Sequence, residues 1–148
     1  MHFDLSIQEV IEHLMQMGIA LLLAMPMAVN REHSAPGAGL RTFPLVALAS
    51  CAYMLVGIQV YGSGEAEARV MYGIITGIGF IGGGAILKNN NHTVGTATAA
   101  SIWNTGAIGV SVAYNRYEIA LVLALTNFLI LQFATPLKKQ KDDDQLSP

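Results

Sequence analysis

The sequence predicts an all-α fold, a polytopic transmembrane helical bundle of about five spans, and three observations lead there. Only 12% of the 148 residues are charged and 53% are hydrophobic, whereas an ordinary soluble domain has roughly a quarter charged residues. The apolar residues gather into blocks approaching the ~20 residues that a helix needs to cross about 30 Å of hydrocarbon. The cationic residues, finally, are distributed unevenly over the connections between those blocks.

The blocks are Val10–Val29, Pro44–Tyr61, Val70–Leu87, Val94–Ala113 and Ile119–Ala134. Their connections are too short for a separate soluble domain, so residues 7–136 are expected to form one membrane domain and 137–148 a charged cytoplasmic tail. With five spans, Arg31, Arg41, Lys88, Lys138, Lys139 and Lys141 fall on one side and Arg69 and Arg116 on the other. Cytoplasmic loops carry the positive excess, which predicts an outside N-terminus and a cytoplasmic C-terminus. Asp4, Glu9 and Glu12 stand where a cleavable signal would be basic, so the first span is read as retained.

In the first span, Pro26 removes one backbone donor and predicts a bend above Asn30-Arg31-Glu32. The following loop holds Pro36, Gly37 and Gly39, which favour a turn over a continuous helix. Arg31, Glu32 and Arg41 flank it, either as topology anchors or with Arg41 holding the loop against carbonyls or Glu32. Cys51 lies mid-span and reads as a small packing residue.

The third span is glycine-rich, with Gly73, Gly77 and Gly84 on one face and Gly79 and Gly83 on another. Small residues let helix backbones approach closely in lipid, so this span is expected at the centre of the bundle. The triplet Gly82-Gly83-Gly84 reads as a packing surface and helix cap, or alternatively as a break within the membrane. Lys88 to His92 then form an exposed polar turn.

The fourth span carries a polar stripe of Ser101, Asn104 and Ser111 with Thr98 and Thr105 beside it. The stripe either hydrogen-bonds neighbouring helices or lines a water-filled path. Trp103 needs a partner for its indole donor, and packing against this stripe would supply one. Tyr61, Tyr114 and Tyr117 fit an aromatic belt at the outer interface.

Asn30-Arg31-Glu32, Ala38-Gly39-Leu40-Arg41-Thr42, Thr76-Gly77-Ile78-Gly79-Phe80-Ile81-Gly82-Gly83-Gly84 and Gly95-Thr96-Ala97-Thr98-Ala99-Ala100-Ser101-Ile102-Trp103 together resemble the MgtC/SapB family. The resemblance implies a bacterial inner-membrane protein linked to low magnesium, acid tolerance and survival in the host. It singles out Arg31, Glu32, Arg41, Thr42, Thr76, Gly77, Gly79, Gly82, Gly84, Thr98, Ser101 and Trp103 as functional candidates, and the polar stripe adds Asn104. Asn30 stands where the family usually has Glu, and Phe43 where it has His; Glu65 or Glu67 corresponds to an acidic residue before its third span. The resemblance is to a short form, expected to be without the soluble C-terminal domain of the name-giving member.

Three functions from different classes are compatible with these residues. The expected one is a non-enzymatic modulator of another membrane complex. The resemblance suggests the proton-translocating ATP synthase as that complex; self-association is a further expectation. A channel or transporter for a small ion or solute is the alternative, for which a substrate-sized cavity at the bilayer midplane would speak. A membrane enzyme ranks below both, because no nucleophile is paired with a base. The four histidines show no i, i+4 pair, so neither a metal nor a cofactor is expected. A net charge of −2 gives no footing for nucleic acid.

Overall fold

The computed structural model describes residues 6–34, 37–89 and 92–146. It contains five helices, α1 (Ile7–Ser34), α2 (Thr42–Tyr61), α3 (Gly64–Gly84), α4 (Thr96–Ala113) and α5 (Tyr117–Leu146). Between α3 and α4 lies a short hairpin of β1 (Leu87–Asn89) and β2 (His92–Val94), antiparallel with Leu87 opposite Val94. The chain is a helical membrane bundle.

α1, α2 and the first part of α5 (Tyr117–Ala134) are long and apolar enough to span a membrane by length and composition. α3 and α4 fall short on hydropathy, although α4 with 18 residues still reaches about 27 Å. Glu65, Glu67 and Arg69 in the first turns of α3, and the hydroxyl and amide groups of α4, account for the shortfall.

Each core face follows helical periodicity. α1 buries Ala20, Ala24, Met27 and Ala28; α2 buries Phe43, Val46, Ala47, Ser50, Cys51 and Met54; α4 buries Thr98, Ser101, Ile102, Thr105, Ile108 and Val112. Cys51 is fully enclosed, as a packing residue should be. α1 continues as one helix through Pro26.

The central helix is α4, which touches all four others, with α2 its largest partner. This corrects the expectation for the glycine-rich span. α3 packs chiefly on α2 and α4, and its buried residues are Ile78 and Gly82. A side chain at Gly73, Gly77, Gly79, Gly83 or Gly84 would meet open space within the chain. The close backbone approach occurs instead at Gly109 of α4, where a Cβ would strike the Ala47 carbonyl oxygen, while one on Gly106 would strike the end of the Ile78 side chain.

Gly82-Gly83-Gly84 caps α3 in the ordinary way, with the Ala85 N–H donating to the Gly82 carbonyl and the Ile86 N–H to the Gly83 carbonyl. The hairpin then leads into Gly95, which precedes α4 at φ +89°, where a Cβ would also strike the Ala85 carbonyl. That position requires glycine on both counts. The expected breaker Pro36 and the Asn90-Asn91 turn lie outside the described residues, as do the tail side chains; the α5 backbone stays helical to Leu146.

Candidate functional site

Ser101 and Asn104 of the α4 polar stripe face α5, and their donors are spent on helix association. Ser101 Oγ donates to Asn127 Oδ1 over 3.1 Å, and Asn104 Nδ2 donates to the Leu123 carbonyl over 3.3 Å. The Asn127 amide in turn points its Nδ2 at the Met27 sulfur, so one side chain links α4, α5 and α1. Thr105 and Ser111 return their hydroxyls to their own helix, on the Ser101 and Ala107 carbonyls, both over 2.8 Å. Thr98 is buried beside them.

Trp103 departs from expectation. It is 53% exposed and turns away from the stripe, into a groove between α3 and α4. An amphipathic ring at a helix flank is stable there because the surroundings of a membrane bundle are themselves apolar, so burial against the stripe gains nothing.

At the Arg31 end, Arg31 is 5% exposed while its neighbour Glu32 faces outward. Glu32 Oε2 accepts the Leu40 N–H over 2.9 Å and lies against Gly39, so the carboxylate folds the 37–41 turn back onto α1. Arg41 is exposed at the N-cap of α2, where its carbonyl accepts the Leu45 N–H and its guanidinium makes no hydrogen bond or ion pair among the described residues. The expected Arg41–Glu32 contact is therefore replaced by a backbone contact: the main-chain donor is nearer and needs no long side chain ordered. Thr42 opens α2 beside it, half-buried. Asn30 Nδ2 donates to Gln132 Oε1 over 3.0 Å, joining α1 to α5.

The α3 candidates are not gathered into this seam. Thr76 is exposed and bonds back to the Tyr72 carbonyl over 2.9 Å. Gly77, Gly79 and Gly84 face outward, and only Gly82 meets another helix, at the Ala99 carbonyl. At the other end of the bundle Glu67 accepts the Tyr114 hydroxyl over 2.8 Å, which ties the start of α3 to the end of α4. Asn115 takes a left-handed φ of 57° in the α4–α5 turn and accepts from Gln16 and Tyr117.

The sequence profile of the MgtC family matches residues 17–140. The chain belongs to the MgtC family. No solved structure matches it. YhiD of Escherichia coli K12, named as a candidate magnesium transporter, is 32% identical over 130 residues, covering 82% of this chain and 60% of YhiD. SrpB of Synechococcus elongatus is 32% identical over 133 residues, covering 77% of this chain and 73% of SrpB. MgtC of Salmonella typhimurium is 30% identical over 119 residues, covering 78% of this chain and 51% of MgtC. The chain thus spans about half to three quarters of these relatives.

Within this MgtC-family bundle, Phe43 is fully buried, so an apolar ring fills the core at the start of α2. Asn127, Gln132 and Gly109 were missed by sequence reasoning. For Gly109 a signal existed in Gly106-Ala107-Ile108-Gly109, a small-residue spacing outweighed by the denser glycines of α3. Asn127 stood as a lone amide within an apolar span, and an intramembrane polar group implies a partner.

Proposed function

We propose that this MgtC-family chain acts by binding another membrane complex, neither catalysing a reaction nor carrying a solute. Its setting would be the bacterial inner membrane during adaptation to low magnesium, acid or host stress. The observation that supports this most is the satisfied seam of α4. Ser101, Asn104, Thr105 and Ser111 all place their donors within the bundle, which leaves them unavailable to line a hydrated path. The outward glycines of α3 offer a face where a foreign helix can approach closely. Family resemblance suggests the proton-translocating ATP synthase as the partner.

Transport of magnesium is the second reading, favoured by the name of YhiD. Mg²⁺ dehydrates reluctantly and is held through carboxylates. The described glutamates, Glu9, Glu12, Glu32, Glu65, Glu67 and Glu118, lie in the first or last two turns of their helices, away from mid-span.

The full chain reconstituted in vesicles loaded with a magnesium-sensitive dye, and the same chain cross-linked in native membranes and purified, separate the two. We expect no flux above protein-free vesicles and stoichiometric capture of one membrane complex. Magnesium flux that saturates with concentration overturns the proposal. Orientation belongs to the same proposal: a reporter active only outside the cytoplasm should be silent after Lys141 and active near Gly64, as the charge asymmetry implies.

A further inference from the structure

A groove of about 350 Å³ runs along the flank of α3 where it meets α4 and the start of α5. Trp103, Ala107 and Ser111 form its α4 wall at four-residue spacing, and Ile74 and Ile78 face them from α3. From Trp103 to Tyr114 the wall covers eleven residues, about 16 Å along the helix. Its open end is polar, at Tyr114 and Arg116, whereas its length is almost wholly apolar.

We propose that this groove holds one zwitterionic phospholipid bearing a primary ammonium, with an acyl chain lying between α3 and α4 and the headgroup at Arg116. The charges at the lip come in both signs. Arg116 is exposed and only loosely paired with Glu118, at 3.9 Å, and Glu67 is held at the same end by Tyr114. A phosphate on Arg116 also meets the first turn of α5, where helical N–H groups have no intrahelical acceptor. An ammonium beside it then faces the Glu118 and Glu67 carboxylates. A purely anionic lipid would satisfy Arg116 but repel both.

α3 and α4 touch beneath the groove through Ile78 against Gly106 and Gly82 against Ala99. A single hydrocarbon chain laid along this furrow removes the void that would otherwise forfeit dispersion contacts along both walls. The charges of both signs at its lip are what a zwitterionic headgroup meets and the apolar flank of a second helix does not.

Native mass spectrometry of the full chain in a mild detergent tests this. The probes are phosphatidylethanolamine, phosphatidylcholine and phosphatidylglycerol with identical acyl chains. We expect one phosphatidylethanolamine per chain, with phosphatidylcholine and phosphatidylglycerol each retained about tenfold less, the scale of one charge-assisted hydrogen bond. Arg116→Gln should weaken phosphatidylethanolamine about tenfold, and Ala107→Phe, which fills the groove, should abolish its retention. If Ala107→Phe fails to fold, Arg116→Gln on its exposed side chain decides alone. Equal retention of the three lipids, indifference to Arg116→Gln, or lipid-free dimers would each overturn the proposal.

Discussion

Gly109 of α4 lies so close against the carbonyl oxygen of Ala47 in α2 that a single methyl group between them has nowhere to go. Ser50 and Cys51 crowd the same point, with the Cys51 nitrogen and Ser50 Cβ each 3.0 Å from where a Cβ would stand. Gly109→Ala should therefore lower the melting midpoint in detergent by the equivalent of about 1–3 kcal/mol, since backbone, not a flexible side chain, must move. Gly77→Leu should leave the midpoint unchanged, because that position is open within the chain. A destabilising Gly77→Leu beside a silent Gly109→Ala would mean that α3, not α4, is the central helix.

Asn127 is the only side chain among the described residues recorded as bridging α4 and α1 from α5. Asn127→Leu keeps the heavy-atom count and branching of the side chain and strands the Ser101 hydroxyl. Interhelical hydrogen bonds in membranes average about 0.6 kcal/mol, so a double-mutant cycle with Ser101→Ala should return a coupling of about that size. A cycle that closes to zero would show that the amide and the hydroxyl act independently.

The Tyr114–Glu67 contact carries a pH dependence. Burial first, then the hydrogen bond to Glu67 and its negative charge, raise the Tyr114 phenol above its ordinary value of 10.0. The folded chain thus keeps the proton when the unfolded chain has begun to release it. This contribution to stability is fully present below pH 10 and is lost as pH rises through the raised folded value. Melting midpoints of the parent and of Tyr114→Phe should differ near neutrality and converge at strongly alkaline pH. Parallel curves throughout would assign the difference to something other than this proton.

Glu32, not Arg41, should govern the turn at the Arg31 end. Glu32→Ala removes the acceptor of the Leu40 N–H and is expected to cost about 1 kcal/mol, with faster amide exchange at Leu40. Arg41→Lys should be silent in both measurements, since Arg41 is exposed and holds nothing in the described structure. Loss of protection at Leu40 in Arg41→Lys would restore a geometric role for the guanidinium.

The bundle was legible in the sequence because length and hydropathy report directly on the bilayer, and Ser101 and Asn104 announced a polar stripe for the same reason. What hydropathy does not encode is which apolar face looks inward. In a soluble chain the exposed face of α3 would have to be polar; here Ile75, Phe80 and Ile81 point outward at no cost. The glycines of α3 consequently looked like a core, and the two in α4 that form one, Gly106 and Gly109, looked incidental. Pairings such as Ser101 with Asn127 lie 26 residues apart, and no local pattern sets that distance.

The peripheral seat of α3 has a consequence for synthesis. Ribosomes deliver α1, α2 and α3 first, and α1 and α2 can embrace at once. Two of the footholds of α3, on Gly106 and on Ala99, do not yet exist at that stage. It must wait at the edge of the pair until α4 emerges, too polar to enter lipid unaided. The acceptors that shelter Ser101 and Asn104 arrive only with α5, the last helix translated. A ribosome stalled before Leu123 therefore leaves a half-built bundle with the Ser101 and Asn104 donors of α4 unsheltered. That nascent state, more than the finished protein, is where a membrane chaperone or protease would find something to grip.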